Sequence, residues 1–429
     1  MAMAALPYLC LEIIQQIGGE LPNCDQMNLR AVCRELGVAI DPLFYTFFTL
    51  RGDRMRRDNG LYIMERLAAR QIGWSHFAKT VHIMPGSKPE TGEATGPKYY
   101  PSDPALPNLL VSALASMHNI QTVVWTVHAN DPDWVREAIC DSLNTLPLLS
   151  DLQLKTEGGV HLGLTPVPSL TKLRIESLDW RPVEMVQDIC QVVGRSHHLS
   201  SLHLSGTSDW SKVWTLLRAT LLRPKDSARI HLKELTTSFV TSDLLTYLHS
   251  YSGLESISLE TSQNHRPKPD PLADRFFGTV LASHALTLVE LSCPAGHEGR
   301  WSFGPHNVDA ILPLRKLEIL HLSVNPQDVA DVEPPMNAVT LLLSTAQMLP
   351  ALRLLEISSA ARYRGRCEEN IKTAIENFTS HLESAAVVCA DEDVYELAPV
   401  LSDEPGERST ILAYRILDPV PSAVQILRT

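Results

Sequence analysis

The apolar positions begin in a helical rhythm and later change to a strand–helix one. Leu11, Ile14 and Ile17 recur at the three- and four-residue spacing of one helix face, and Gly18-Gly19 stops that helix. Asp25 can cap a second helix carrying Leu29, Val32, Cys33 and Leu36. Gly37 follows, and Asp41-Pro42 restarts the chain before Leu43, Phe44, Phe47 and Phe48. Residues 1–50 are therefore predicted to be a three-helix module, with a helical linker over 51–77. About 45 such residues bury too little surface to stand alone, so the module is expected to lean on a partner.

From residue 78 the pattern is L-x-x-L-x-L. Such units begin at residues 78, 120, 149, 170, 199, 232, 254, 286, 317 and 352, with gaps of 21 to 42 residues, enough for one strand and one helix each. Between them, apolar residues return to helical spacing, as in Trp134, Ile139, Leu143 and Leu146, or Val183, Val186, Ile189, Cys190 and Val193. No strand–helix unit can bury its own apolar side, so neighbours must stack into one core. The fold class predicted is α/β, with an array over 78–390 interrupted by a Pro/Gly-rich loop at 84–107. Residues 391–429 are expected to be a cap or tail, with an acidic surface segment followed by ILAYRIL as an edge strand.

The order and spacing of Leu6-Pro7, Glu12-Ile13-Ile14, Leu21-Pro22, Asp25, Leu29-Arg30-Ala31-Val32-Cys33-Arg34 and Pro42-Leu43-Phe44 resemble the F-box in its fungal form. Leu9 and Gln26 depart from that pattern, standing where an acidic and an apolar residue are usual. The repeats resemble the leucine-rich-repeat solenoid in an irregular, helix-backed variant, with the family's asparagine present only at Asn325. The two resemblances together imply a substrate-recognition subunit of a Skp1–cullin–F-box ubiquitin ligase. They imply docking on Skp1, and through it a cullin, by Leu6, Pro7, Leu11, Ile13, Ile14, Leu21, Pro22, Leu29, Val32, Cys33, Pro42 and Leu43. The target would be an unknown protein, and the chain would be monomeric outside the complex. The alternatives are a leucine-rich-repeat scaffold without a ligase role and a regulator of a GTPase.

Charge and chemistry narrow the function classes. A net charge of -12 argues against bulk attraction to a nucleic-acid backbone. No apolar run reaches the roughly 18 residues of a membrane span. Eight cysteines stand singly, without a C-x-x-C pair, as free thiols in a reducing compartment would; an intracellular chain, cytoplasmic or nuclear, is expected. Sixteen histidines show no metal-ligand spacing, and no phosphate-binding loop or nucleophile elbow occurs, so no cofactor, metal or catalytic residue is predicted. What remains is recognition. Strand residues alternating with the leucines should line one face, and Lys155, Lys172, Arg174, Glu176, His203, Glu260, Glu290, His321 and Glu356 are the candidate target contacts there.

Overall fold

The structure is a computed structural model that describes residues 9–400 apart from 53–54, 56–57, 85–103, 130, 158–161, 165–166, 168, 178–182, 207–208, 222–228, 261–269, 331–335, 361–364 and 383–385, together with 411–417. The chain divides into two compact units, Met1–Leu199 and Ser200–Thr429.

The first unit opens with α1 (Leu11–Gly19), α2 (Asn23–Arg30) and α3 (Arg34–Phe44). Their small core is Ile14, Leu36, Ala39 and Ile40, against which Leu29, Cys33 and Leu43 pack. The predicted stripe from Leu29 to Leu36 is divided. The N–H groups of Ala31 and Val32 close α2 with short-range bonds to Asn28 and Leu29. Cys33 is extended as the N-cap of α3, which then runs through Gly37 and includes Pro42. A Cβ at Gly18 would overlap Ile40, so glycine lets α1 approach α3.

Phe47, expected to belong to the helices, instead begins a strand. β1 (Phe47–Arg51) pairs in parallel with β2 (Thr80–Met84), with Phe48 and Leu50 buried between less buried neighbours. Five residues of FFTLR are too short for periodicity to distinguish helix from strand. The segment predicted as a linker supplies α4 (Asp58–Ala68), whose Met64 and Leu67 are buried, and the short α5 (Trp74–Phe77). α4 packs against α6 (Leu106–Ser116), which makes it a helix of the array. The parallel sheet continues through β3 (Thr122–His128), β4 (Asp151–Glu157) and β5 (Lys172–Ser177), with α7 (Asp133–Thr145) and α8 (Val183–Arg195).

One side chain joins α2 and α3 firmly. Arg30 Nε donates to Asp41 Oδ1 at 2.8 Å and Nη2 to the Tyr45 hydroxyl at 2.8 Å, while its guanidinium lies over the Phe44 and Tyr45 rings. Tyr45 meets Trp74 edge-on, and Trp74 Nε1 donates to the carbonyl of Phe47 at 3.0 Å. A Cβ at Gly73 would overlap the Tyr45 ring, so this position needs glycine. The helices are thus tied to the first strand by aromatic packing as well as by the chain.

The second unit repeats the scheme with β6 (Ser201–Gly206), α9 (Ser211–Leu221), β7 (Glu234–Thr237), α10 (Ser242–His249) and β8 (Ser256–Leu259). α11 (Asp270–Arg275) passes through a π-helical turn, Phe276–Val280, into α12 (Leu281–Ser283). β9 (Glu290–Cys293), α13 (Val308–Ile311), β10 (Ile319–Val324), α14 (Ala338–Gln347), β11 (Leu354–Ser359) and α15 (Gly365–Glu376) follow. Parallel pairing runs from β6 to β11 and on to β13 (Val387–Ala390), which leaves β12 (Thr379–Ser380) out of sequence. The acidic segment after residue 390 is not a plain surface loop. It forms β14 (Asp393–Val400), which turns back on β13 through Asp391 at φ 57° and pairs with β15 (Ile411–Ile416). β15 in turn holds β12, so the predicted edge strand lies between two others.

All ten predicted repeat segments contain a strand. Their leucine positions are buried, as at Leu152 and Leu154 or Leu320 and Leu322, except in the unit read from Leu286. Leu286 is 83% exposed, and Leu288, Leu291 and Cys293 are the inward positions there, because adjacent apolar residues left that register ambiguous. Deep in the array, the N–H at the head of a repeat is met by a side chain from the helical end of the same repeat. Leu170 N–H donates to Ser196 Oγ (3.1 Å), Leu232 N–H to the Tyr247 hydroxyl (3.3 Å) and Leu254 N–H to His284 Nδ1 (3.3 Å). Without these acceptors each amide would be buried and unsatisfied.

Candidate functional site

Two kinds of surface could serve recognition: the outside of the N-terminal helices and the sheet face turned away from the array helices. On the helices, Leu6 and Pro7 lie outside the described residues. Ile14, expected at the partner surface, is buried in the module's own core; Leu29, Cys33 and Leu43 pack on that core, and Leu21 and Pro42 are half-buried. Leu11, Ile13, Pro22 and Val32 are exposed, Val32 at 69%. The structure adds three that were not among the candidates: Ile17, Met27 and Val38. Ile17 stands one turn from Ile13, a spacing readable in the sequence, whereas Val38 was hidden by reading Gly37 as a break.

Six large apolar side chains between Leu11 and Val38 are exposed, more than in any other stretch of that length among the described residues. Gln26, where the pattern departs from the F-box, is buried, and its Nε2 donates to the carbonyls of Gly18 and Leu21 at 3.0 Å each. It therefore holds the α1–α2 turn. At the starts of α1 and α3 a Cys-x-Glu pair recurs. The Glu12 and Glu35 carboxyls are held below the usual carboxylate range by their own backbone N–H and then by the thiols of Cys10 and Cys33.

In the first unit the open face of the sheet is mixed in charge. Strand register sets Asp151 beside Lys172, Gln153 beside Arg174 and Lys155 beside Glu176. Arg174 Nε donates to Glu176 Oε1 at 2.8 Å, so two of the candidate residues satisfy one another. Missing from the candidates are Arg51 and the Phe47–His82 edge contact (4.3 Å between ring centroids), both consequences of β1 joining the sheet.

The second unit differs. Register aligns His203, Thr236, Ser258, Ser292, His321 and Glu356 in one row across the strands. A second row runs Ser201, Glu234, Ser256, Glu290, Ile319 and Leu354. Ser256 Oγ donates to Glu290 at 2.8 Å. His321 Nδ1 lies 3.7 Å from Glu356 and 3.4 Å from Ser292 Oγ, and its Nε2 lies 3.3 Å from Ser358 Oγ, which is itself 2.9 Å from Ser323 Oγ. The candidates His321 and Glu356 are thus brought together, while Glu260 follows the last residue of β8. A cavity of about 300 Å³ opens beside Glu356, bounded by α15 and the turn after β13.

Among the described residues, no three His, Cys, Asp or Glu side chains converge as metal ligands, and no helix is long and apolar enough to cross a membrane. The cysteines are free thiols; Cys140, Cys293, Cys367 and Cys389 are buried, and burial pushes the Cys140 thiol up to about 12.

No protein-family model matches the sequence, and no curated protein matches it. Among solved structures, the crystal structure of a TLR13–ssRNA13 complex aligns with 70% of this chain and 38% of that one, at 12% sequence identity and a TM-score of 0.31. This chain therefore spans well under half the length of that protein. The strand–helix repeat described above rests on this chain's own register and not on that likeness.

Proposed function

We propose that the chain is a non-catalytic adaptor. Its three N-terminal helices dock on Skp1, as their resemblance to the F-box implies, and its repeat array holds a protein target for a Skp1–cullin–F-box ubiquitin ligase. The supporting observation is the group of exposed apolar side chains on α1–α3: Leu11, Ile13, Ile17, Met27, Val32 and Val38. A module with so small a core gains nothing from leaving them in water, and exposed apolar patches of this kind mark partner surfaces. Catalysis would lie in the partner enzymes, with the adaptor supplying proximity.

The test is co-expression of the full chain with Skp1 and size-exclusion chromatography. The wild type is expected to co-elute with Skp1, and the double variant Ile13→Asp/Val32→Asp to run alone with unchanged thermal melting. Co-elution of the variant would remove the adaptor reading.

A further inference from the structure

The face of β6–β11 turned away from the array helices has an unusual composition. Ile319 and Leu354 close it in part by packing with Cys389, Val394 and Leu417, and it is open over β6–β9 and at His321 and Glu356. Serine and threonine fill most of its positions, the carboxylates are Glu234, Glu290 and Glu356, and no lysine or arginine occurs there among the described residues. The face of the first unit, in contrast, carries Arg51, Lys155, Lys172 and Arg174 among its acids. Short hydroxyl side chains keep the second face low and offer both donors and acceptors, so another chain's backbone can approach it closely. The fixed charge it presents is negative.

At its far end lies the cavity of about 300 Å³. Glu356, Glu368 and Asp391 line it with carboxylates, and Pro294 and Ile371 give it apolar wall. Its lysine, Lys372, donates to Asp393 at 2.8 Å and lies 3.7 Å from Asp391. A long apolar stem with a cationic head matches such walls.

We propose that the open face of the second unit docks an extended protein segment rich in lysine and arginine, and that one of its cationic side chains enters the cavity between β11 and α15. The inference rests on reading the array as the target-binding surface and adds the chemistry of the target. Nucleic acid is disfavoured by the same glutamates and by the net charge of -12. Complementary charge steers and selects such a partner even where it adds little affinity.

The probe is a fluorescent peptide of alternating lysine and serine, about 15 residues long so that it can span several strands, compared by anisotropy with its glutamate–serine counterpart on the full chain. The lysine peptide is expected to bind and the glutamate peptide not to. The triple variant Glu234→Gln/Glu290→Gln/Glu356→Gln should weaken binding on the order of tenfold, and Glu368→Gln alone about threefold. A control triple, Asp309→Asn/Glu369→Gln/Glu376→Gln, removes as many exposed carboxylates from α13 and α15 and should change affinity by less than about twofold. Equal weakening by the control would mean diffuse attraction to an acidic chain and would overturn the proposal, as would absence of binding by the wild type. Melting curves establish that the variants fold. A wild type that captures Skp1 and not the peptide removes this inference and leaves the adaptor reading standing; loss of Skp1 with the peptide retained does the reverse.

Discussion

In the first unit the N–H of Leu170, at the head of its repeat, is taken up by the hydroxyl of Ser196; in the second the same duty falls to Tyr247 at Leu232 and to His284 at Leu254. The backbone requirement is one and the same, an acceptor from the helical end of the same repeat. Three chemistries meet it. The open faces show the same freedom, mixed in charge on β1–β5 and hydroxyl-rich without cations on β6–β11 among the described residues. What the units share are the leucine positions toward the helices. The difference teaches that the inward pattern specifies the fold, while the joins and the open face are free to take on other properties.

The largest expected effect tests the shared part. Leu154 in β4 and Leu322 in β10 hold equivalent inward positions and are 1% and 0% exposed. Leu154→Ala and Leu322→Ala should each cost about 2–5 kcal/mol by lost burial and the cavity left behind. Denaturant unfolding followed by hydrogen exchange of each unit is the measurement. If one substitution costs well under 1 kcal/mol while the other costs several, the two arrays are not built alike.

The second effect separates the units by pH. His284 is 2% exposed; its Nδ1 accepts from Leu254 N–H, and its Nε2 donates to the Leu248 carbonyl at 2.9 Å. Only the neutral ring can do both. Burial, opposed by the Leu248 contact and aided by His249, holds its pKa below the ordinary 6.5. Above pH 6.5 the ring is neutral whether folded or unfolded, and nothing is lost. As pH falls below that value the unfolded chain takes up a proton that the folded one refuses, so stability declines until the lowered folded pKa is reached, by at most about 1.4 kcal/mol per pH unit for one proton. Hydrogen-exchange protection around Leu254 is expected to fall between neutral and mildly acidic pH, while that around Leu170, held by serine, stays level. His284→Gln should flatten the dependence at Leu254 and lower stability by about 1–3 kcal/mol, since glutamine need not reach both partners. A slope unchanged by that substitution would assign the pH effect to other groups.

Much of this could be read in the chain beforehand, and what could not has physical causes. The strands were legible because leucines two and three apart are spaced for inward positions, and ten such units in order leave few other folds. β1 was missed because FFTLR follows three helices and is too short to show its own period. β14 was missed because Asp393 and Glu396 make it look like a surface loop, although Val394 and Tyr395 are buried. In the N-terminal helices Ile13 and Ile14 are adjacent and chemically alike; which faces the core depends on where α3 lies, and the sequence does not contain that angle. The rows of serine and glutamate were invisible as a surface, because register between strands 21 to 42 residues apart is set by the loops and helices between them.

The smallest effect concerns the open faces. Arg174 in β5 is exposed and pairs with Glu176 on its own strand, and Ser258 in β8 is half-buried in the hydroxyl row. An exposed ion pair contributes about 0–1 kcal/mol, and an open-face hydroxyl that water can replace contributes no more. Arg174→Ala and Ser258→Ala should therefore shift unfolding by about 0.5 kcal/mol or less, in contrast to the inward leucines one residue away. A loss of several kcal/mol at either position would mean that the open face is part of what holds the array together. In that case its serines and glutamates would be explained by folding, and the contrast between the two units would have no bearing on recognition.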